Sequence, residues 1–207
     1  MTIHNDQDFH NWYKTPETMK FTEKGYAIME PVTEIPSDFK IKRFSLFYKN
    51  EDLDAFLMFY QEDHKFNRVW NSPDVYLNPI KKHAGAFSPD FSLYSDTPTP
   101  MQQWNHYRNQ WCGAYWQSKG ITVIPTVGWS DQKSYDFCFD GVPHNSVVTI
   151  SALGTLQNKA CREMFLEGYN KMLEVLQPSK ILMYSGAKLW GHLDGPVQYI
   201  GNTRVKK

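Results

Sequence analysis

The sequence predicts an α/β fold in which repeated βαβ units build a mostly parallel sheet. Short apolar runs of strand length alternate with longer segments of helical spacing, the connections are short, and the strands are apolar on both faces. About six strands are too few for a complete eight-stranded barrel of ~250 residues. An incomplete TIM-like barrel and an open doubly wound sheet therefore both fit the pattern.

Residues 1–38 are predicted to form a loop-rich N-terminal arm. This segment mixes aromatic residues with charges and prolines and has no sustained period. Phe9, Trp12 and Tyr26 make it too apolar for a disordered tail. We therefore expect the arm to pack on a single α/β domain formed by residues 39–207.

The first half of the domain contains three predicted strands and one helix. Apolar runs at 41–48 and 55–60 indicate two strands, which are either a hairpin or successive parallel strands. A serine–proline pair begins a helix over 73–82. The short run 85–87 is typical of a buried strand.

The second half contains the two clearest helices. One begins at Thr99, repeats apolar residues every three or four positions and ends at Gly120, and the other follows Asn158 and stops before Pro178. Ser130 is expected to cap a short helix that runs through Phe139. The remaining strands are predicted at 121–127, 146–150 and 180–184.

Residues that directly follow the strands are the candidate site, because parallel α/β sheets bind ligands at the carboxyl ends of their strands. Trp129 has a large ring that can stack on a ligand, and the small residues there let a ligand approach the backbone. The candidate ligand-binding residues at these ends are Ser88, Trp129, Ser151, Tyr184 and Ser185.

Three carboxylates are the candidate catalytic residues: Asp90, Asp131 and Asp136. A pair of carboxylates can act as general acid and base or hold a divalent metal. Structural roles compete, because Asp131 also suits the first turn of a helix and Asp90 suits a turn. Asp90 is the strongest functional candidate of the three.

Arg108 is a further candidate ligand-binding residue, because it lies on the apolar face of the predicted helix from Thr99 and needs an anion there. That anion is either Asp136, the favoured partner, or a bound ligand. His106 on the same helix is expected to face solvent. In the polar loop that follows the second strand, His64 with Asp63 or Glu62 is a possible general base, although such charged runs are more often merely solvated.

Composition disfavours several classes of partner. In 207 residues, 22 lysines and arginines balance 22 aspartates and glutamates, so nucleic acid is not a favoured partner. The three cysteines and seven histidines have no metal-ligand spacing, and the phosphate-binding and dinucleotide-binding glycine motifs are absent, so the sequence names no metal and no cofactor. No apolar stretch approaches the ~20 residues of a membrane span. We predict a cytoplasmic protein with buried free thiols and no membrane contact.

Four strings of the sequence resemble a bacterial and phage family known as domain of unknown function 4417. The strings are FNRVWNSP at 66–73, FSPDFSLY at 87–94, WNHYR at 104–108 and YDFCFDGVP at 135–143. The resemblance runs from about residue 40 to 186 and leaves 189–207 without an assigned role. It implies a bacterial, phage or mobile-element origin and a cytoplasmic location, and it carries no activity.

Two functions compete on these observations. The slightly favoured one is a phage or mobile-element accessory protein that binds a small-molecule ligand or a host protein at the strand ends, because the aromatic content is 15% and no catalytic constellation is complete. The alternative is a hydrolase or transferase that uses Asp90 with Asp131 or Asp136, with or without a divalent metal.

Overall fold

The computed structural model describes residues 10–155, 158–185 and 193–201. The start of the predicted arm, including Phe9, and parts of the unassigned C-terminal stretch lie outside these ranges. Within them, the helices are α1 Arg68–Asn71, α2 Pro73–Lys81, α3 Thr99–Ser118 and α4 Lys159–Leu176. The strands are β1 Ile41–Arg43, β2 Phe56–Met58, β3 Gly85–Phe87, β4 Val123–Ile124, β5 Val147–Ser151, β6 Lys180–Tyr184 and β7 Val197–Ile200.

The strands pair in the order in which they occur in the chain. β1 to β4 form one sheet and β5 to β7 another, and every pairing is parallel. A parallel bridge between Thr126 and Thr149 joins the two, and the Val127 N–H donates to the Thr149 carbonyl at 2.9 Å. The predicted α/β class with parallel strands is confirmed, and all carboxyl ends lie along one edge.

The joined sheet is curved. Tyr60, two residues beyond β2, places its Oη 2.8 Å from Thr149 Oγ1 in β5 and stacks its ring on Tyr184 of β6 at 5.2 Å. These contacts reach across the concave face. The sequential strand order agrees with an incomplete barrel, since a doubly wound sheet reverses its order at a switch point. Among the described residues β1 does not pair with β7.

The first two strands are parallel, which resolves the choice left open by the sequence. β1 ends at Arg43, earlier than the apolar run 41–48 suggests, because the chain turns there into a 3-10 helix, Phe44–Leu46. That helix buries Phe44 in the core and provides the crossover to β2. A short apolar run is therefore shared between a strand and a turn of helix.

α3 is buried over most of its circumference, because the described part of the arm lies on it. The Trp111 indole donates to Thr15 Oγ1 at 2.9 Å, and Met29 occupies the space above Gly113, which has no side chain. The Met29 N–H donates to the Gly141 carbonyl at 3.0 Å. The division into an arm over residues 1–38 and a single α/β domain over residues 39–207 stays a prediction.

His106 on α3 does not face solvent, so that prediction is wrong. It is 3% exposed, its Nε2 lies 2.9 Å from the Asp140 carbonyl, and its ring packs edge-on against Tyr26. Burial lowers the pKa of His106 to about 4, and the hydrogen bond to the Asp140 carbonyl only partly offsets this. The imidazole is therefore neutral near pH 7.

The helix expected from Ser130 to Phe139 is a shorter 3-10 helix, Gln132–Asp136. Asp131 caps it by accepting the Lys133 N–H at 3.1 Å, whereas the Ser130 hydroxyl donates to Gln102 Oε1 at 2.5 Å. The capping residue was therefore assigned one position too early. No helix in the described ranges combines the length and the apolar character needed to cross a membrane.

Candidate functional site

A cavity of about 760 Å³ opens at the carboxyl ends of β1 to β5. This volume lies in the range of about 300–1,000 Å³ that is usual for small-molecule sites. The segments that follow adjacent parallel strands meet there, and the start of α4 closes one side. The lining residues used below are Arg43, Tyr60, Gln61, Glu62, Lys65, Asp90, Gly128, Trp129, Ser151, Cys161, Met164 and Phe165.

Asp90, Trp129 and Ser151 are the predicted site residues that line this cavity. The other six, which are Ser88, Arg108, Asp131, Asp136, Tyr184 and Ser185, are not among its lining residues. Several of these six residues contact other parts of the fold instead.

Ser88 fastens β3 to the chain after β4. Its Oγ accepts the Thr126 N–H at 2.8 Å, and its carbonyl accepts the Thr126 hydroxyl at 2.6 Å. The Ser88 side chain is fully buried, so a ligand in the cavity does not reach it. Tyr184 stacks on Tyr60 beneath the cavity, and Ser185 follows it at the end of β6.

Asp90 is a half-buried carboxyl group on the cavity wall. It makes no hydrogen bond or ion pair with the residues that the structure describes. Burial, and secondly the negative charge of Asp63, raise the pKa of Asp90 from 3.8 to about 7. Near neutral pH this group is present both as the acid, which donates and accepts hydrogen bonds, and as the carboxylate, which only accepts.

The acid that acts electrostatically on Asp90 is Asp63, in the loop after β2. Its carboxylate accepts both the N–H and the hydroxyl of Ser92, at 3.2 and 2.9 Å. Asp131 instead caps the short 3-10 helix, and Asp136 is exposed, its carbonyl accepting Lys24. The structure does not bring Asp131 or Asp136 to the cavity.

Arg108 does not form the ion pair with Asp136 that the sequence favoured. Its guanidinium donates to Asn67 Oδ1 at 2.9 Å and to Asn105 Oδ1, and it lies 3.7 Å above the Phe91 ring. Two amides and an aromatic face thus contact the guanidinium in place of an ion pair, and Nε is buried without a hydrogen bond in the described ranges. Burial lowers the pKa of Arg108, and the negative charge of Asp63 partly offsets this.

The surroundings of Arg108 hold the loop after β3 in place. Asn105 donates to the Ser92 carbonyl at 2.7 Å, while Asn109 accepts the Phe91 N–H at 2.8 Å and donates to the Phe91 carbonyl at 3.1 Å. The helix α3 therefore supports the cavity wall from behind. Arg108 contributes by positioning this loop, and it does not line the cavity.

Two lining residues, Tyr60 and Gln61, were not selected from the sequence. The Thr149 hydroxyl donates to the Leu182 carbonyl at 2.9 Å, so the Tyr60 hydroxyl must donate to Thr149 at 2.8 Å. Burial, and then the charge of Asp90, raise the pKa of Tyr60 well above its ordinary value. Tyr60 is therefore a neutral phenol beside Asp90.

Gln61 occupies a position equivalent to that of Asp90. Each lies three residues beyond the end of its strand, β2 for Gln61 and β3 for Asp90, and these strands are neighbours. The Gln61 amide makes no hydrogen bond with the described residues, and its Nε2 is buried. The polar loop from residue 61 was a signal for this region, but it pointed to His64, which is exposed and does not line the cavity.

Trp129 forms an apolar wall of the cavity. Its indole packs on the Phe165 ring at 5.3 Å and lies against Gly168 of α4, where an added Cβ would be 2.2 Å from the ring. Glycine at 168 is therefore required for this position of the indole. The indole N–H has no hydrogen-bond partner in the described ranges.

All three cysteines are unpaired. Cys112 and Cys138 are buried as predicted, but Cys161 is half-buried and lines the cavity, so the prediction is wrong for this third thiol. Burial raises the pKa of Cys138 to about 12 and raises that of Cys112 as well. Cys161 is thus the accessible thiol of the chain.

Charged groups on the rim include one ion pair and one unpaired cation. Lys65 pairs with Glu62 at 2.5 Å, whereas Arg43 at the end of β1 is exposed and has no partner among the described residues. Clusters of three or more histidine, cysteine, aspartate or glutamate side chains suited to a metal ion do not occur within the described ranges.

Two curated proteins with similar sequences come from mycobacteriophages. The "Gene 1 protein" of Mycobacterium phage L5 is 41% identical over 140 residues, which are 68% of this chain and 61% of the relative. That of Mycobacterium phage D29 is 42% identical over 128 residues, 62% of this chain and 47% of the relative. The match thus spans roughly half of each relative's length. No solved structure matches the chain.

The family described as "Domain of unknown function (DUF4417)" matches residues 29–194. This range contains the strands β1 to β6 and all the cavity residues described above. It extends the span that the sequence strings indicated, and the resemblance is confirmed. The chain therefore belongs to the DUF4417 family.

Proposed function

We propose that this protein binds a small polar molecule in the cavity at the strand ends, as a cytoplasmic accessory factor of a phage or another mobile element. The observation that carries the proposal is the Asp90 carboxyl group, which lies on the cavity wall without a hydrogen-bond partner in the described part of the chain. The phage relatives and the three unpaired cysteines support the setting.

An unpaired carboxyl group in such a place destabilises the free protein. Buried polar groups are usually hydrogen-bonded, and leaving one unsatisfied costs about 1–3 kcal/mol. A raised pKa in a cleft is typical of functional sites, because a ligand supplies the missing partner. Gln61 and the Trp129 indole N–H are two further groups on the same walls that have no hydrogen-bond partner among the described residues.

The shape of the site favours a small molecule over a host protein. The cavity is concave and its walls combine apolar surfaces, such as Trp129 and Phe165, with a few polar groups. Such a combination is usual for small-molecule sites. A host protein in this site would have to insert a side chain or a loop.

The test measures protection of Cys161 by small polar fragments. Purified full chain is screened against a fragment library by thermal shift, and the rate at which iodoacetamide alkylates Cys161 is followed by mass spectrometry. We expect fragments that raise the melting temperature of the wild type to slow alkylation of Cys161, and to lose both effects in Asp90→Asn.

The matched control is Asp131→Asn, which removes a carboxylate outside the cavity and retains a residue suited to helix capping. This variant should bind the same fragments as the wild type. A library without any fragment that protects Cys161, or fragments that bind Asp90→Asn unchanged, would contradict the proposal.

A second candidate function is acid–base catalysis by Asp90. The observation that favours it is the pKa of about 7, since a general acid or base works best when its pKa is close to the operating pH. Asp63 raises this pKa by its charge, and its two hydrogen bonds from Ser92 fix its position. This is an alternative use of the same cavity.

Turnover distinguishes catalysis from binding. A bacterial metabolite extract is incubated with wild type or with Asp90→Asn, and metabolites are followed over time by mass spectrometry. Catalysis predicts a metabolite that disappears, with a matching product, only when Asp90 is present. Identical time courses for the two proteins would eliminate Asp90 as a catalytic residue.

A further inference from the structure

We propose that the ligand of this cavity is a planar nitrogen base or amidine, whose N–C–N edge pairs with the Asp90 carboxyl group while its ring lies against Trp129. The inference rests on the proposed function, because it names the chemical class of the ligand in the same cavity. It follows from three features of the walls.

The first feature is the pair of planar side chains at the ends of neighbouring strands. Asp90 offers two carboxyl oxygens and Gln61 offers one amide, and neither has a partner among the described residues. A carboxyl group forms two parallel hydrogen bonds with an N–C–N edge. A single hydroxyl would leave one of these oxygens unsatisfied.

Proton balance also suits this edge. The acid form of Asp90 donates one hydrogen bond and accepts another, which matches a neutral aminopyridine edge; the carboxylate accepts two, which matches the protonated edge. The complex holds the same number of protons in both descriptions. A pKa of about 7 for Asp90 makes both forms accessible near neutral pH.

The second feature is the space beside the carboxyl group. Gly128 has no side chain, and a Cβ built there would be 3.7 Å from Asp90 Oδ1, with no other heavy atom within 4 Å apart from those of its two neighbours in the chain. The carboxyl edge is therefore approached over bare backbone. A flat ligand edge fits such an opening.

The third feature is the aromatic wall. The Trp129 indole is held by Phe165 and by its contact with Gly168, so its position is fixed before a ligand arrives. Aromatic rings stack on such a surface, and preorganisation reduces the entropy lost on binding.

Other ligand classes fit these walls less well. An anion would be repelled by Asp63 and the ionised form of Asp90, whose mutual effect is already visible in the raised pKa of Asp90. A metal ion lacks a cluster of three acidic, histidine or cysteine ligands in the described ranges. An aliphatic amine satisfies Asp90 but does not use the flat wall.

The test uses 2-aminopyridine, with N,N-dimethyl-2-aminopyridine as the probe that lacks the exocyclic N–H donors and cyclohexylamine as the aliphatic probe. Binding to the full chain is measured by NMR titration and by protection of Cys161 from iodoacetamide. We expect 2-aminopyridine to bind at least about tenfold more tightly than either control probe. Trp129→Leu should weaken 2-aminopyridine by about tenfold and leave cyclohexylamine unchanged.

Benzamidine, which stays cationic across this range, tests the role of Asp90 through pH. Its affinity should fall by about tenfold per pH unit below pH 7 and level off above it, because binding requires the carboxylate. Asp90→Asn should remove this dependence, and Asp131→Asn should keep it. The groups that face Asp90 are Asp63 and Tyr60, and the rim charges are Arg43, Glu62 and Lys65.

The possible failures are distinguishable. Equal binding of 2-aminopyridine and its dimethyl derivative, or a benzamidine affinity that does not depend on pH, overturns this inference. If sugars or aliphatic amines bind instead and require Asp90, the inference is wrong while the proposed binding function stands. If no fragment in the broad library protects Cys161, both are wrong.

Discussion

Replacing Asp90 by asparagine should make the protein more stable at alkaline pH. The native state holds the Asp90 proton more tightly than the unfolded chain does, because the pKa is about 7 in one and 3.8 in the other. The stability contributed by the protonated group is complete below about pH 4 and is lost as the pH rises to about 7. Asparagine keeps the shape of the neutral acid and cannot ionise.

The magnitude follows from the two pKa values. Each pH unit between them corresponds to about 1.4 kcal/mol, so the interval from pH 5 to 7 gives an upper limit of about 3 kcal/mol. Asp90 borders the cavity, where water screens its charge, which reduces the expected effect to about 1–2 kcal/mol. Above pH 7 the free energy of unfolding of Asp90→Asn should exceed that of wild type by a constant amount.

Urea denaturation of wild type, Asp90→Asn and Asp131→Asn at pH 5 and pH 8 measures this effect. The free energy of unfolding of Asp90→Asn, relative to wild type, should increase between the two pH values, while that of Asp131→Asn should not. If the free energies of unfolding of Asp90→Asn and wild type differ by the same amount at pH 5 and at pH 8, Asp90 is already ionised at pH 5 in the native state. The premise of an unpaired, partly protonated carboxyl group would then be wrong.

Three further substitutions test other parts of the structure. In an Asp90→Asn background, the free energy of unfolding should fall by about 3 kcal/mol between pH 6.5 and 4, because the pKa of about 4 keeps His106 neutral in the folded state. Adding His106→Gln should abolish this fall, and an unchanged pH profile would contradict the reasoning. Gln110→Met should raise the free energy of unfolding by about 1–3 kcal/mol, because both amide atoms of Gln110 are buried without hydrogen bonds in the described ranges. A lower melting temperature would refute this prediction. Gly168→Ala should lower the free energy of unfolding by about 1–3 kcal/mol and change the Trp129 fluorescence, because the clash with the indole outweighs the helical preference for alanine. Unchanged stability would show that the indole can move.

Patterns that depend on local sequence were the ones that could be predicted. The helix from Thr99 and the helix after Asn158 were identified from apolar spacing and from end signals, and the side chain of Asn158 does cap α4. The strand-end rule selected Asp90 because it depends only on strand direction. These features need no knowledge of distant contacts.

Features that depend on tertiary contacts were not predictable. The spacing of α3 does not reveal that the arm covers its outer face, so His106 was wrongly placed in solvent. Arg108 was expected to seek a charge, yet two asparagines and Phe91 accommodate it. Apart from Asn105, which is three residues from Arg108, the residues that decide these outcomes lie far away in the sequence.

β7 was missed for a different reason. Its four residues, Val197–Ile200, are too few to establish an alternating pattern, and the strand forms because β6 offers a free edge. Gly195 before it and Gly201 at its end were the available signals, and both have positive φ values, which glycine adopts readily.

The packing of the arm against α3 and against the chain that follows it also sets an order of events during synthesis. Met29 bonds to Gly141, and Val32 accepts the N–H of Val147, so the docking surface of the arm is complete only about 110 residues after the arm itself is made. At about 5–20 residues per second, the ribosome needs on the order of ten seconds for this. Throughout that time Ala27 and Met29, which end almost fully buried, remain in water. The nascent arm is therefore a segment for chaperones to bind, and a chain that terminates before β5 leaves the ribosome with this apolar surface uncovered.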